Sequence, residues 1–335
     1  MSTRGSHHYP WLVHPTNGFD VTISIVSHSN RDGTLECLDR LDRLHGGDPL
    51  VEIVVLDNGS DDGSAEAIRQ RFPSVRLIEQ SHWAGFGSNH NTIIRTTRSR
   101  YVFVLNDDTI VEPGAVETMV RTMDADPTIA VLGPRLVYAG GRRQPSAWRY
   151  PTPAVCAMWA LTMGSMGIVQ SNREDSGDVD WVSGSAMMIR RSALDDVGLF
   201  DENFYMYMEE TDLCRRITKA GYRVVYQPEA CVTHVQWGST ASDPERRTSE
   251  LWRSRHYYWH KHHSDSGARV AAVCDGLRYS FGALCAEVII RLPNGERFYS
   301  GRSMTPSEFR LNARGAFFGP VGPGLRELAA DRNAE

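Results

Sequence analysis

The stretch VEIVVLDNGSDDGSAEAIRQRF (51–72) spells out a strand, a turn and a helix in one run. VEIVVL (51–56) is apolar and rich in β-branched residues, the pattern of a strand buried on both faces. DNGSDDGS supplies turn formers and cap residues, and AEAIRQRF then reads as a helix. The same alternation extends outward on both sides. VTISIVS (21–27) predicts another buried strand, followed by Leu35, Leu38, Leu41 and Leu44 at near-helical spacing. VRLIE (75–79), a helical stretch near 88–98, and YVFVL (101–105) continue the series. Strand and helix alternating at this pitch predict βαβ units and an α/β fold on a parallel sheet.

In such sheets ligands bind beyond the carboxyl ends of the strands. Ser27–His28, Asp57–Asn58 and Asn106–Asp108 all fall there. Each has a plain alternative: Asp57 and Asn58 suit a capped turn, and Asn106, Asp107 and Asp108 suit strand-end punctuation. Their convergence on one edge favours a site. The second half is less regular. Gly140–Pro153 reads as a loop, and VDWVSGSAMMIRR (179–191) as a strand with a small-residue patch. Residues 201–240 read as a turn, a helix and two short strands, and the last hundred or so as helical with loop insertions.

Composition narrows the function classes. At 335 residues, 41% hydrophobic and 23% charged, the chain is an ordinary globular protein. A net charge of −5 gives no global pull toward nucleic acid. The six cysteines show no zinc spacing and are expected to be free thiols in a reducing cytosol. The N-terminus lacks the apolar core of a signal peptide, so a cytoplasmic protein is expected. The uncharged stretch 150–172 is broken by Pro, Ser, Thr and Gly, which suits a buried or surface-docking segment better than a spanning one.

Two segments carry further chemistry. WAGFGSNHN (83–91) is not GxGxxG and does not follow the first strand, which disfavours a dinucleotide-binding oxidoreductase. Its Gly85 and Gly87 would let backbone approach a ligand, with Asn91 as a donor. In MYMEETDLCRR (206–216), Leu213, Ile217 and Ala220 share a helical stripe, and Asp212 stands four residues before Arg216. Glu209 falls near that pair, whereas Glu210 points about 100° away and is free for another task. His234 suits a packing role, or with Asp108 a site for Mn²⁺ or Mg²⁺.

From Val21 to Thr240 the chain resembles the inverting nucleotide-sugar glycosyltransferases of family 2. The resemblance rests on IVSHSNRDGTLECL, VVLDNGSDDGS, GFGSNHN, FVLNDDTIVEPGA, WVSGSAMMIRRSALDDVGLFDENFYMYMEETDLCRR and GYRVVYQPEACVTH. The last two blocks are most similar to bacterial rhamnosyltransferases that build cell-wall or surface polysaccharide linkers. The resemblance implies a GT-A fold: a Rossmann-like nucleotide half (about 21–135) and an acceptor half (about 136–245). Around it lie an N-terminal extension (1–20) and a mainly helical C-terminal extension (246–335), whose mix of aromatics, Arg and His suits docking on a membrane together with 154–169, a contact with a second copy, or packing on the catalytic domain.

By the same resemblance Ser27, His28, Asp57, Asn58 and Asn91 border the donor. Asn106, Asp107 and Asp108 occupy the family's DXD site, with Asp107 toward ribose or sugar and Asp108 on the metal. Glu210 matches the catalytic base, and His234 the histidine that assists metal or diphosphate. Trp181, Gly184, Glu209 and Asp212 fall on the sugar and acceptor side. Three positions depart from the pattern. Asn106 replaces the first acid, Trp83 stands where asparagine is usual, and His28–Ser29 replace Tyr-Asn. The implied reaction uses Mg²⁺ or Mn²⁺ and a nucleotide-diphosphate sugar, dTDP-rhamnose first, with a UDP-hexosamine or GDP-mannose as alternatives. The implied acceptor is a glycan or polyprenyl-linked hydroxyl at the inner membrane face. A non-catalytic glycan-binding protein is the competing class, and retention of Asp107, Asp108 and Glu210 speaks against it.

Overall fold

The computed structural model describes residues 18–42, 49–163, 167–235, 243–292 and 304–334. Residues 1–17 of the expected N-terminal extension lie outside these. The first half runs β1 (Val21–Ser27), α1 (Arg31–Leu41), β2 (Val51–Asn58), α2 (Ser64–Arg71), β3 (Arg76–Gln80), α3 (Phe86–Arg95) and β4 (Tyr101–Asn106). These strands pair in parallel in the order β3-β2-β1-β4. Ile23, Ile25, Val55, Phe103 and Leu105 are all fully buried in the sheet core. Each contributes on the order of 2 kcal/mol by leaving water. The few polar side chains on β1 are matched internally: Thr22 bonds Glu52 and Ser99, and Ser24 meets His90 Nδ1 at 2.8 Å.

The register explains why the polar strand ends meet. Ser27 stands opposite Asp57, and Val26 opposite Asn106. One parallel register therefore brings three sequence-distant polar ends to one edge.

The second half adds β5 (Thr109–Val111), α4 (Ala115–Ala125), β6 (Ile129–Tyr138), β7 (Arg143–Gln144), β8 (Ala147–Trp148) and α5 (Pro153–Leu161). It continues with β9 (Gly177–Asp178), β10 (Trp181–Val182), β11 (Ala186–Arg190), α6 (Arg191–Val197), α7 (Glu209–Lys219) and β12 (Arg223–His234). The sheet continues past β4 as β11-β6-β12-β5. β11 runs antiparallel to both neighbours, β6 and β12 are parallel, and β5 is antiparallel to β12. The stretch expected as one strand over 179–191 is two, because Ser183 Oγ accepts the Ser185 N–H at 3.2 Å and turns the chain between them. The two short strands expected near the end of 201–240 are one long β12 with a register shift between Gln227 and Cys231. Pro228 in that gap has no N–H to give the ladder.

Among the described residues four helices follow: α8 (Pro244–His262), α9 (Asp265–Arg291), α10 (Pro306–Phe318) and α11 (Leu325–Ala334). α8 turns its aromatics inward. Trp252, Tyr258 and Trp259 are fully buried in a cluster with Phe204, Met208, Ala271 and Ala316. This part of the C-terminal region is thus packed on the catalytic half and not exposed for docking. The six cysteines are free, and burial pushes the Cys37 and Cys214 thiols up to about 12, so neither is a thiolate at neutral pH.

Candidate active site

The acidic pole forms where β4 ends. Asp108 is buried, and its Oδ1 has no hydrogen-bond partner among the described residues. Pairing of Thr109 with His234 across β5 and β12 sets the histidine beside it, with Nε2 3.2 Å from that oxygen. His234 Nδ1 faces the Gln144 amide at 3.1–3.2 Å. If Nδ1–H donates to Gln144 Oε1, the Nε2 lone pair points to the same space as the orphaned Asp108 oxygen. One carboxylate and one imidazole suit Mn²⁺ or Mg²⁺, with remaining positions open to phosphate oxygens and water. Among the described residues no group of three His, Cys, Asp or Glu side chains could enclose an ion without such outside ligands.

Asp107 turns the other way, toward α1. Thr34 Oγ1 donates to it at 3.2 Å, and the polar side chains of Asn30 and Ser27 stand beside it. Burial and the adjacent Asp108 charge push its carboxyl up to about 7 against the pull of those polar groups. Ser27, buried and 2.8 Å from Thr34, therefore acts inside this cluster.

At the β1 and β2 ends, Asp57 is buried with Oδ1 unpartnered among the described residues, while Oδ2 accepts the Ser60 N–H at 3.3 Å. His28 Nδ1 lies 3.0 Å from the Asn58 carbonyl, and its ring packs edge-on to Trp83, centroids 4.2 Å apart. Trp83 Nε1 donates to the Gly59 carbonyl, and its backbone exchanges two hydrogen bonds with Asn333 of α11. An unpartnered acid beside two aromatic rings is a place for a flat, hydrogen-bonding ligand.

Two expected donor contacts have other work. The Asn58 amide accepts from Gln80 and the Ala84 N–H and donates to the Ala84 carbonyl. The Asn91 amide is fully buried, bonding Phe200 through both its oxygen and nitrogen and also Glu202. Both side chains tie loops to the sheet, which commits three of the four hydrogen-bonding positions of each amide to protein. Gly85 and Gly87 likewise make room for protein. A Cβ on Gly85 would lie 2.4 Å from the Tyr205 carbonyl, and one on Gly87 2.9 Å from Phe200 Cβ.

That close approach builds the other pole. Phe86 N–H donates to the Tyr205 carbonyl at 2.9 Å and holds the 205–208 turn. Tyr207 and Met208 both take left-handed backbone angles, φ 69° and 71°, at a cost of roughly 1 kcal/mol each. The strained turn delivers Glu209 and Glu210 to the first turn of α7. Each carboxylate keeps one buried oxygen, Oε2, without a hydrogen-bond partner among the described residues. Burial pushes Glu210 up to about 7, opposed by N–H groups that include Gly184. Burial, and then the Glu210 charge, push Glu209 well above the usual carboxyl range. Glu209 is not near the Asp212–Arg216 pair in any bonded sense; it packs beside Gly87.

Asp212 is the misplaced member of the expected acceptor side. It is fully buried, with Arg216 on one oxygen and His262 and Lys261 on the other, so it fastens α7 to the end of α8. Trp181 stacks on Trp148 with centroids 4.5 Å apart and donates Nε1–H to the Arg149 carbonyl. Gln144, Thr34 and Trp148 carried no signal in the sequence, since each depends on a partner far along the chain.

Comparison with known proteins bears directly on this arrangement. The family model for glycosyl transferase family 2 matches residues 22–198. The chain belongs to that family. It is a glycosyltransferase, and its relatives include rhamnosyltransferases. The N-acetylglucosaminyl-diphospho-decaprenol L-rhamnosyltransferase of Mycobacterium tuberculosis is 33% identical over 233 residues, 64% of this chain and 76% of that one. Rhamnosyltransferase WbbL of Escherichia coli is 26% identical over 226 residues, 64% of this chain and 83% of that one. The fold is similar to a mannosyltransferase from Pyrobaculum calidifontis solved with GDP-Man and Mn²⁺ (TM-score 0.56, 15% identity, covering 92% of this chain and 91% of that one). It is also similar to Staphylococcus aureus TarS solved with UDP-GlcNAc (TM-score 0.54, 12% identity, covering 94% and 88%). The expected GT-A architecture is therefore the observed one.

Proposed function

We propose that this family 2 glycosyltransferase moves L-rhamnose from dTDP-rhamnose to a hydroxyl of a polyprenyl-linked glycan, inverting the anomeric centre. The observation that carries the chemistry is the pair of orphaned, buried carboxylate oxygens, Asp108 Oδ1 and Glu210 Oε2. A buried acceptor left without a partner is unfavourable by about 1–3 kcal/mol, so both are kept for something that binds. The likeness to the mycobacterial enzyme supports rhamnose as the sugar and a lipid-linked acceptor.

In this reading Asp108 and His234 hold Mg²⁺ or Mn²⁺, which supplies positive charge for the leaving diphosphate. Asp57 accepts from the nucleobase beside His28 and Trp83, and Asp107, turned toward α1, holds that helix start against the ribose end of the donor. Glu210 takes the proton of the acceptor hydroxyl as that oxygen attacks the anomeric carbon opposite the diphosphate. Gly184 orients Glu210 through its N–H. Trp181 offers an aromatic face on the acceptor side. A lipid-linked acceptor also calls for peripheral association with the inner membrane face, since no helix among the described residues is long and apolar enough to cross a membrane.

The test is a panel of dTDP-, UDP- and GDP-sugars, with and without Mn²⁺, read by thermal shift and by donor hydrolysis. The expected response is metal-dependent and strongest for dTDP-rhamnose. A response to a UDP- or GDP-sugar instead replaces the donor, and silence toward all of them overturns the transferase reading.

A further inference from the structure

Helix α9 is built inside out. Its buried residues are Ala268, Ala271, Ala272, Asp275, Gly276, Ala283 and Ala286, nearly all small. Its outward residues are the large ones: Val270, Val273, Leu277, Phe281, Leu284 and Val288 are each 46–58% exposed. The inner side is small because α10 fills it. A Cβ on Gly276 would lie 2.5 Å from the Phe317 ring, and one on Gly282 2.6 Å from the Phe309 ring.

At 100° per residue the six outward residues fall in a stripe about 80° wide and about 27 Å long. Between residues 270 and 290 the helix exposes nothing else except Ser280. Its three charged residues in that span are all withdrawn. Asp275 is buried against Arg255, Arg278 lies over the Trp159 and Tyr279 rings, and Glu287 pairs with Arg310. Leu161, at the end of the neighbouring uncharged α5, and Phe318, at the end of α10, are 85% and 82% exposed and extend the apolar surface. A continuous apolar face of this kind is what an interaction surface presents.

The charges around it select the occupant. With Arg310 already paired to Glu287, the exposed charges left on α9 and α10 are Arg269, Arg291 and Arg314, against Asp265. A second copy is a poor fit. Antiparallel two-fold pairing along the stripe would set Arg269 near Arg291, and parallel pairing would set each arginine against itself. An anionic bilayer complements both features, taking the apolar stripe into its acyl boundary and the arginines at its headgroups.

We propose that the outer face of α9, with Leu161 and Phe318, docks this enzyme flat on an anionic membrane surface. The docking goes beyond the transferase reading and does not depend on it. Only the benefit to a lipid-linked acceptor rests on that reading, since α5 begins a few residues after Trp148.

The experiment is flotation of the full chain with vesicles of phosphatidylcholine alone or mixed with phosphatidylglycerol, without donor or metal. The wild type is expected to float with the mixed vesicles and to stay behind with phosphatidylcholine. Leu277→Glu/Phe281→Glu/Leu284→Glu is expected to lower the floating fraction about tenfold. Arg269→Gln/Arg291→Gln is expected to lower the preference for anionic lipid. A milder Phe281→Ser variant, with melting temperature and donor hydrolysis as controls, guards against misfolding. Wild type that ignores both vesicles, or a triple variant that floats as well as wild type, overturns the proposal. A wild-type dimer in sedimentation that the triple variant dissociates, with no flotation, gives the face to a second copy. Because flotation needs no turnover, it can succeed or fail independently of the sugar-transfer test.

Discussion

Glu210→Gln separates catalysis from stability, because the same burial that makes Glu210 a base also destabilises the fold. With its carboxyl pushed up to about 7 from an ordinary 4.5, ionisation in the folded state is opposed by burial. The folded state holds that proton when the unfolded state has lost it. Stability is therefore full below pH 4.5 and falls as pH rises through about 7. At 1.36 kcal/mol per tenfold change in acidity, the cost at pH 8 is about 3 kcal/mol as an upper limit. Glutamine keeps the shape and the N–H contacts without the charge, so urea unfolding at pH 8 should show the variant more stable by roughly 1–3 kcal/mol. That gain should shrink toward zero at pH 5. Its transfer rate should fall by about 10²–10⁴ with donor binding intact. In the wild type, kcat/KM should rise about tenfold per pH unit below 7 and level off above it. A variant with near-normal turnover, or an equal stability difference at pH 5 and pH 8, would refute the reasoning.

The remaining predictions concern the rest of the site. Asp108→Ala should abolish metal-dependent stabilisation by nucleotide diphosphate in a thermal-shift assay, and His234→Ala should weaken it about 10- to 100-fold; unchanged Mn²⁺ titrations would remove both from the metal pole. Gln144→Leu should act through His234 and lower Mn²⁺ affinity while leaving metal-free nucleotide affinity as it was, as titration calorimetry would read. Asp212 is held near about 2 because hydrogen bonds from His262 and Lys261 and the Arg216 charge outweigh the burial that would raise it. That stability is present above pH 3.8 and is lost as pH falls toward 2, and Asp212→Asn should cost about 3 kcal/mol at pH 7 in denaturant titration. Asn333→Ala removes the two bonds that fix Trp83 and should weaken nucleotide binding about fivefold with kcat unchanged; an unaltered Kd would separate α11 from the donor pocket.

Much of the nucleotide half was legible before folding. Alternating β-branched runs and helical periods are local patterns, and a parallel register carries each strand's polar end to the same edge. Ser27, Asp57, Asn106 and the aspartates after it thus share one edge as expected. What stayed hidden was which polar groups remain free. The partners of Asn91 lie 109 and 111 residues away and those of Asp212 up to 50, and nothing in the local sequence marks either side chain as already used. Asn58 and Asn91 looked like ligand donors for that reason, and they are braces.

The letters of this chain by themselves determined the strand–helix order of its first half, its polar strand ends and its family, because each is written in short-range pattern. Tertiary structure alone decided how charge and apolar surface are spent. Among the described residues it left Asp108 Oδ1 with only the His234 imidazole beside it and Glu210 Oε2 without a hydrogen-bond partner. It also chose between the two apolar sides of α9. Periodicity cannot say which of two apolar faces turns inward; the phenylalanines of α10 demand the small side, and Val270 through Val288 are left facing out.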